Sequence, residues 1–288
     1  MKKVKLVLVM AFAMLICIVA GAQSVTDSVR ISGRMRTFKM VIPNDIKPSA
    51  PLVVLLHGYG GGDFDAPTCM DDVARAHGFA LCVPQGLTDP NHERSWNVGY
   101  PMQKGWGVDD VEDICKLTRA VQRKYSLSKT NVFLTGMSNG GEMCYLMVYR
   151  NKTLFKAIAS VAGLTLEWMY KGLMPKVQVP FMEIHGTEDR VSEWTGDLAN
   201  KGGWGAYMPV PIAVGRIVAL NRCTHETIER IESLNPANGH YIMKHSFLGG
   251  DNGCDVFLYE VVGAPHCWHT GDMNTGDEVW HFFARYLQ

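Results

Sequence analysis

Six short, mostly apolar runs punctuate this chain: Leu52–Leu56, Phe79–Val83, Val132–Leu134, Phe155–Ala162, Val179–Ile184 and Val256–Val262. Runs of this kind mark strands buried on both faces. Arg34–Ile42 differs, because its apolar and polar residues alternate up to Pro43, as in an early antiparallel strand. Between these runs lie helical patterns. Asp109–Tyr125 crowds acids into its first turn (Asp109, Asp110, Glu112, Asp113) and ends on Arg123-Lys124, matching the helix dipole. Glu142–Tyr149 holds helix formers with no proline, and Glu278–Tyr286 reads as a closing amphipathic helix. Strands alternating with helices predict an α/β fold: a mostly parallel central sheet with helices on both faces. The stretch between Cys223 and Cys254, with Asn235-Pro236-Ala237-Asn238-Gly239 at its middle, reads as irregular. No internal repeat or low-complexity linker divides the chain, which predicts one domain over residues 23–288.

The first 22 residues stand apart. Lys2, Lys3 and Lys5 precede an apolar stretch from Leu6 to Ala20, and Ala20-Gly21-Ala22 supplies small residues for a cut. This predicts a signal peptide cleaved near Ala22-Gln23, hence a secreted or periplasmic protein without stable membrane insertion. The stretch is shorter than the roughly 20 residues a span needs, and Leu15-Ile16 is the wrong approach to a lipidated Cys17. Cleavage removes three lysines and no acid. Of 28 basic and 28 acidic side chains it leaves 25 against 28, a net charge of −3. That balance offers nothing to nucleic acid. Of the eight cysteines, seven remain, so at least one is unpaired. In an exported chain, Cys223 and Cys254 are the best pair for a disulfide stapling the stretch between them.

Chemistry enters at Gly136-Met137-Ser138-Asn139-Gly140, which lies between an apolar run and a helix former. A serine between glycines at a strand-to-helix turn is a candidate nucleophile. Serine needs an imidazole to take its proton. His266, in the loop after 256–262, is the leading candidate, with His269 the rival. The orienting acid is Asp189 in His185-Gly186-Thr187-Glu188-Asp189, with adjacent Glu188 the alternative. Serine, acid and histidine then follow one known chain order for such triads. Two backbone amides must receive the oxyanion: that of Asn139, after the serine, and one from His57-Gly58-Tyr59-Gly60-Gly61-Gly62, with Tyr59 preferred to Gly58. This glycine run lacks the ending of a phosphate-binding loop. A zinc reading of His266, Cys267 and His269 lacks a second ligand cluster, so neither metal nor cofactor is expected. Tryptophans 96, 106, 194, 204 and 268 all fall in loops. Trp96 and Trp268 are the two best placed to line a substrate cleft.

Together these motifs, with Pro84-Gln85-Gly86, Ser95-Trp96-Asn97, Val108-Asp109-Asp110-Val111, His266-Cys267-Trp268 and Val279-Trp280-His281-Phe282-Phe283, resemble a known family. It is the secreted carbohydrate esterases of the feruloyl-esterase and polyhydroxybutyrate-depolymerase-like group, within the α/β-hydrolase fold. The resemblance implies that Ser138, Asp189 and His266 form the triad and that cysteines matching Cys223 and Cys254 are bridged. It implies hydrolysis of feruloyl or acetyl esters on a plant cell-wall polysaccharide such as xylan, through an acyl-enzyme. Two departures touch the rim of the site: Gly263-Ala264-Pro265 replaces three glycines, and His269-Thr270-Gly271 replaces a Pro-Gly. Three other readings compete: a polyhydroxyalkanoate depolymerase, a serine peptidase, and a non-catalytic carbohydrate-binding protein. Peptidases with this triad usually bring a large extra domain, and the depolymerases an appended binding module.

Overall fold

The computed structural model describes residues 22–62 and 68–288. Apart from Ala22, the expected signal peptide lies outside them. Among the described residues, ten strands form one sheet. In chain order they are β1 (Ala22–Ile31), β2 (Arg34–Pro43), β3 (Leu52–Leu56), β4 (Ala80–Pro84), β7 (Val132–Met137), β8 (Ala157–Val161), β9 (Phe181–Gly186), β10 (His225–Glu232), β11 (Tyr241–Leu248) and β12 (Val256–Val262). A separate ribbon pairs β5 (Leu87–Thr88) with β6 (Arg94–Ser95). Across the sheet the order is β1-β2-β4-β3-β7-β8-β9-β12-β11-β10. The six strands from β4 to β12 run parallel, and an antiparallel pair extends each side.

Among the described residues, six helices cover this sheet: α1 (Met70–His77), α2 (Asp110–Lys124), α3 (Asn139–Tyr149), α4 (Glu167–Gly172), α5 (Val210–Asn221) and α6 (Thr275–Ala284). The period of two along each central strand explains the two layers of core. Leu52, Val54 and Leu56 of β3 join a cluster with residues of α2, α3 and α5. Val53 and Leu55, facing the other way, join one with α1 and α6. The parallel strands are buried on both faces, as their unbroken apolar runs require. Beneath α2, the buried Arg36 of β2 pairs with Asp110 at 2.5 Å and Asp113 at 2.6 Å, so the acidic first turn also anchors the helix to the sheet.

Two expectations change. The stretch between Cys223 and Cys254 is largely a regular hairpin, β10–β11, added to the edge beside β12. Seven of the eight β10 residues are exposed, so no apolar face betrayed the strand. The expected disulfide is not formed: both cysteines are free thiols. Cys223 directs its sulfur to the carbonyl oxygen of Cys254, at 3.7 Å, instead of to the partner sulfur.

Candidate active site

All three candidate side chains stand at the carboxyl edge of the parallel strands, where sites gather in such sheets. Ser138 occupies the turn from β7 into α3 with φ 57° and ψ −122°. For a residue with a β-carbon that is a strained geometry, costing about 1–3 kcal/mol. The surrounding glycines follow from contact. A β-carbon on Gly136 would lie 2.6 Å from the Gly140 backbone, and one on Gly140 would lie 2.4 Å from the carbonyl oxygen of Leu56. The chain can thus turn sharply enough to leave Ser138 partly exposed.

The acid and the imidazole meet. His266 Nδ1 donates to Asp189 Oδ2 at 2.6 Å, and the other carboxylate oxygen accepts the amides of Val191 at 2.8 Å and Ser192 at 2.7 Å. Burial works against the Asp189 charge. The hydrogen bond and charge of His266, the charge of His185 and the Ser192 amide outweigh it and hold the carboxyl below its ordinary range. The loops are locked together at the backbone: Glu188 donates to the Ala264 carbonyl at 3.0 Å, and the Gly263 amide to Thr187 Oγ1 at 2.9 Å. The Glu188 side chain is exposed and takes no part. The third expected contact is not made. Among the described residues, the Ser138 hydroxyl has no hydrogen bond within 3.5 Å to His266 or to any other group. His269 does not replace His266. It is 1% exposed, its Nδ1 lies 3.4 Å from Cys267 Sγ, and burial with the His185 charge pushes its pKa down to about 4. Among the described residues, no group of three or more histidine, cysteine or acidic side chains is arranged to hold a metal ion.

The glycine loop after β3 lies against the serine: a β-carbon on Gly58 would sit 3.2 Å from that of Ser138. Within it, Gly60 donates to Arg94 O and Gly61 to Gly58 O, whereas the Tyr59 amide has no partner among the described residues. The Asn139 amide, at the first position of α3, has no acceptor within the helix. His57 fixes the loop. Its Nδ1 bonds Gly58 O at 2.6 Å and its Nε2 accepts the Gly86 amide at 2.9 Å, which defines the neutral Nδ1–H tautomer. Burial above all holds its pKa below the usual value.

Neither tryptophan expected to line the cleft does so. Trp96 is 1% exposed: its amide donates to Asn139 Oδ1 at 2.7 Å, its carbonyl accepts from Asn139 Nδ2 at 3.1 Å, and its indole donates to His57 O at 3.0 Å. Trp268 is 3% exposed within the α1/α6 core layer. Trp204 lies beside the glycine loop instead. Half-buried, it packs edge-on against Tyr59 at 5.2 Å and lies 5.3 Å from Tyr100. It is carried by a loop pinned at its base by the Asp197–Tyr207 bridge and by Gly202 N–H to Asp197 Oδ2 at 2.8 Å. Only its loop setting was visible in the sequence, and the other tryptophans shared that.

A strained serine at a strand-to-helix turn, a bonded acid–imidazole pair on the loops after β9 and β12, and this sheet order define the class: the chain has the α/β-hydrolase fold. A profile of the Prolyl oligopeptidase family matches residues 71–189. Among curated proteins the chain is similar to the bifunctional acetylxylan esterase/xylanase XynS20E of Neocallimastix patriciarum, 25% identical over 174 residues. It is similar also to poly(3-hydroxyalkanoate) depolymerase C of Paucimonas lemoignei, 26% over 182 residues, and to feruloyl esterase B of Neurospora crassa, 28% over 134 residues. These matches cover 59%, 61% and 45% of this chain but only 24%, 41% and 44% of the relatives, so the chain spans under half the length of each. Among solved structures, acetyl xylan esterase from Aspergillus awamori shares the fold with a TM-score of 0.57 at 15% identity, over 92% of this chain and 99% of that one.

Proposed function

We propose that this chain is an exported serine esterase, a single domain over residues 23–288. It removes acetyl or feruloyl groups from plant cell-wall polysaccharide such as xylan. Ser138 Oγ attacks the ester carbonyl while His266 Nε2 takes the hydroxyl proton. Asp189 holds the imidazole by Nδ1, leaving Nε2 for that task. The amides of Tyr59 and Asn139 receive the oxyanion, and the alcohol departs with the proton from His266. Water then repeats the sequence on the acyl-enzyme. The observation that carries the reading is the 2.6 Å bond between His266 and Asp189 at the sheet edge where Ser138 is turned outward. Attack needs Ser138 Oγ within about 3 Å of Nε2, a contact that tightens when substrate docks.

The likeness to xylan and ferulate esterases supports the substrate class, and the likeness to a depolymerase favours a second reading, a polyester substrate. One assay separates them: methyl ferulate, acetylated xylan and a short hydroxyalkanoate compared side by side. Fastest turnover of the hydroxyalkanoate would displace the polysaccharide reading. Ser138→Ala should abolish hydrolysis of a small aryl ester and labelling by a fluorophosphonate while leaving the fold intact. Unchanged turnover would remove the proposal.

A further inference from the structure

Behind Asp189 lies a second imidazole–carboxylate pair that the proposed reaction does not use. Glu183 and His185 are two residues apart on β9, so their side chains share a face, and both are 0% exposed. His185 Nδ1 lies 2.9 Å from Glu183 Oε1, and its Nε2 lies 2.7 Å from the carbonyl oxygen of Ser192. A carbonyl can only accept, so Nε2 carries a proton. Glu183 Oε1 also accepts the Gly163 amide at 3.2 Å; with Glu183 ionised that oxygen is an acceptor only, and the bonded Nδ1 carries a proton as well. With both nitrogens protonated, the ring is an imidazolium. Its Nε2 lies 3.5 Å from Asp189 Oδ2, the same oxygen that takes the His266 proton donor.

The surroundings agree. Burial alone would discharge His185, but Glu183, the Ser192 carbonyl and Asp189 reverse this and raise its pKa above the ordinary value. From α3, Cys144 and Tyr145 face Glu183, and the Ser160 hydroxyl of β8 stands beside it. Tyr207 faces Asp189, and buried His269, held neutral, approaches from the loop after β12. None of these supplies a competing negative charge at neutral pH.

We propose that His185 is a permanently protonated positioning residue. Held charged by Glu183, it offsets part of the pull that Asp189, itself oriented by the Val191 and Ser192 amides, exerts on the His266 proton. His185 thereby sets where the acid limb of kcat/KM falls. This rests on the reading of Ser138, His266 and Asp189 as a triad.

His185→Gln removes the cation directly, and Glu183→Gln removes the charge that sustains it. In either variant Asp189 acts on His266 unopposed, so His266 keeps its proton to higher pH. The acid limb of kcat/KM for an aryl ester should move up by about one pH unit in each variant. The double variant should move no further than either single one, because both remove the same charge, and kcat on the plateau should stay within about threefold. An unmoved limb, or a double shift equal to the sum of the singles, would overturn the inference. A second measurement needs no activity and no variant. Imidazole proton–nitrogen correlation spectra of the wild-type chain at pH 8 should show two N–H protons on His185, and a single one would refute it. If Ser138→Ala retains activity, the triad reading fails while the spectrum still judges His185. If that variant is dead and the limbs coincide, the His185 inference alone fails.

Discussion

Asp189→Asn probes the site most directly, because the two oxygens of Asp189 face different partners. Oδ1 accepts the amides of Val191 and Ser192 at 2.8 and 2.7 Å, and Oδ2 accepts His266 Nδ1–H at 2.6 Å. If the new NH2 replaces Oδ2, both backbone amides stay satisfied, but His266 Nδ1 meets a donor. The imidazole must then move its proton to Nε2, the nitrogen required to accept from Ser138. If the amide flips, His266 recovers its acceptor while the NH2 opposes two N–H donors. That forfeits two hydrogen bonds at about 1 kcal/mol each and leaves buried donors unpaired, so the flip costs about 2–4 kcal/mol. The productive tautomer is then present in roughly one molecule in 30 to 1,000. His185, 3.5 Å from Oδ2, favours the flip only weakly, since its Nε2 already bonds Ser192. Loss of the charge that stabilises the imidazolium adds a further factor, and kcat should fall by about 10³–10⁴-fold. The assay is p-nitrophenyl acetate hydrolysis from pH 6 to 10, with circular dichroism to establish folding. A folded variant retaining more than about a tenth of wild-type kcat would refute the roles assigned to Asp189 and His266.

Two further predictions concern other parts of the chain. Trp204→Ala should raise KM for methyl ferulate about 2–10-fold while leaving an acetyl ester nearly unchanged, because an aromatic stacking contact is worth about 0.5–1.5 kcal/mol; equal effects on both esters would argue against contact between Trp204 and the acyl group. Glu142, fully buried in α3, has its pKa pushed up from 4.5 to about 8, chiefly by burial, against hydrogen bonds from Tyr100 and Asn139. A raised acid stabilises the fold fully below its unfolded pKa, and that contribution drains away as pH rises toward the folded value. Relative to wild type, Glu142→Gln should therefore gain about 3 kcal/mol between pH 4 and pH 7 in urea unfolding, and a pH-independent difference would contradict it.

What was legible in the sequence was local. The serine turn announces itself because its glycines are demanded by contacts within a few residues or with the adjoining strand, and acid and base announce themselves by chain order beyond strand ends. Burial of individual tryptophans depends on distant packing. Trp96 and Trp204 both sit in loops, yet one is sealed by Asn139 and His57 while the other rests half-open on Tyr59. The outer strands escaped notice for a different reason. β10 carries His225, Glu226, Glu229, Arg230 and Glu232 with little core to face, and β1 is also an edge strand. Charged, exposed edges discourage pairing with other chains, and the same property erases the periodicity that identifies a strand.

The residues that carry the family resemblance divide into chemistry and support, and the support explains why the motif is so much longer than a triad. Arg36 grips Asp110, whose other oxygen accepts the Asn97 amide at 2.7 Å. Next in sequence, Trp96 clamps the Asn139 side chain from both of its ends. Trp96 also ties to His57, which ties to Gly86. Asn139 and the Tyr59 loop, the two proposed sources of oxyanion donors, are therefore held by one continuous set of bonds running back to the first turn of α2. Donors aimed in advance at a developing charge act without reorganisation when the charge appears, and this is the largest single term in many such reactions. Trp96 is on this view a residue whose loss would misdirect two amides, although its ring meets no substrate. Its buried position is what a preorganised site requires of the layer beneath it.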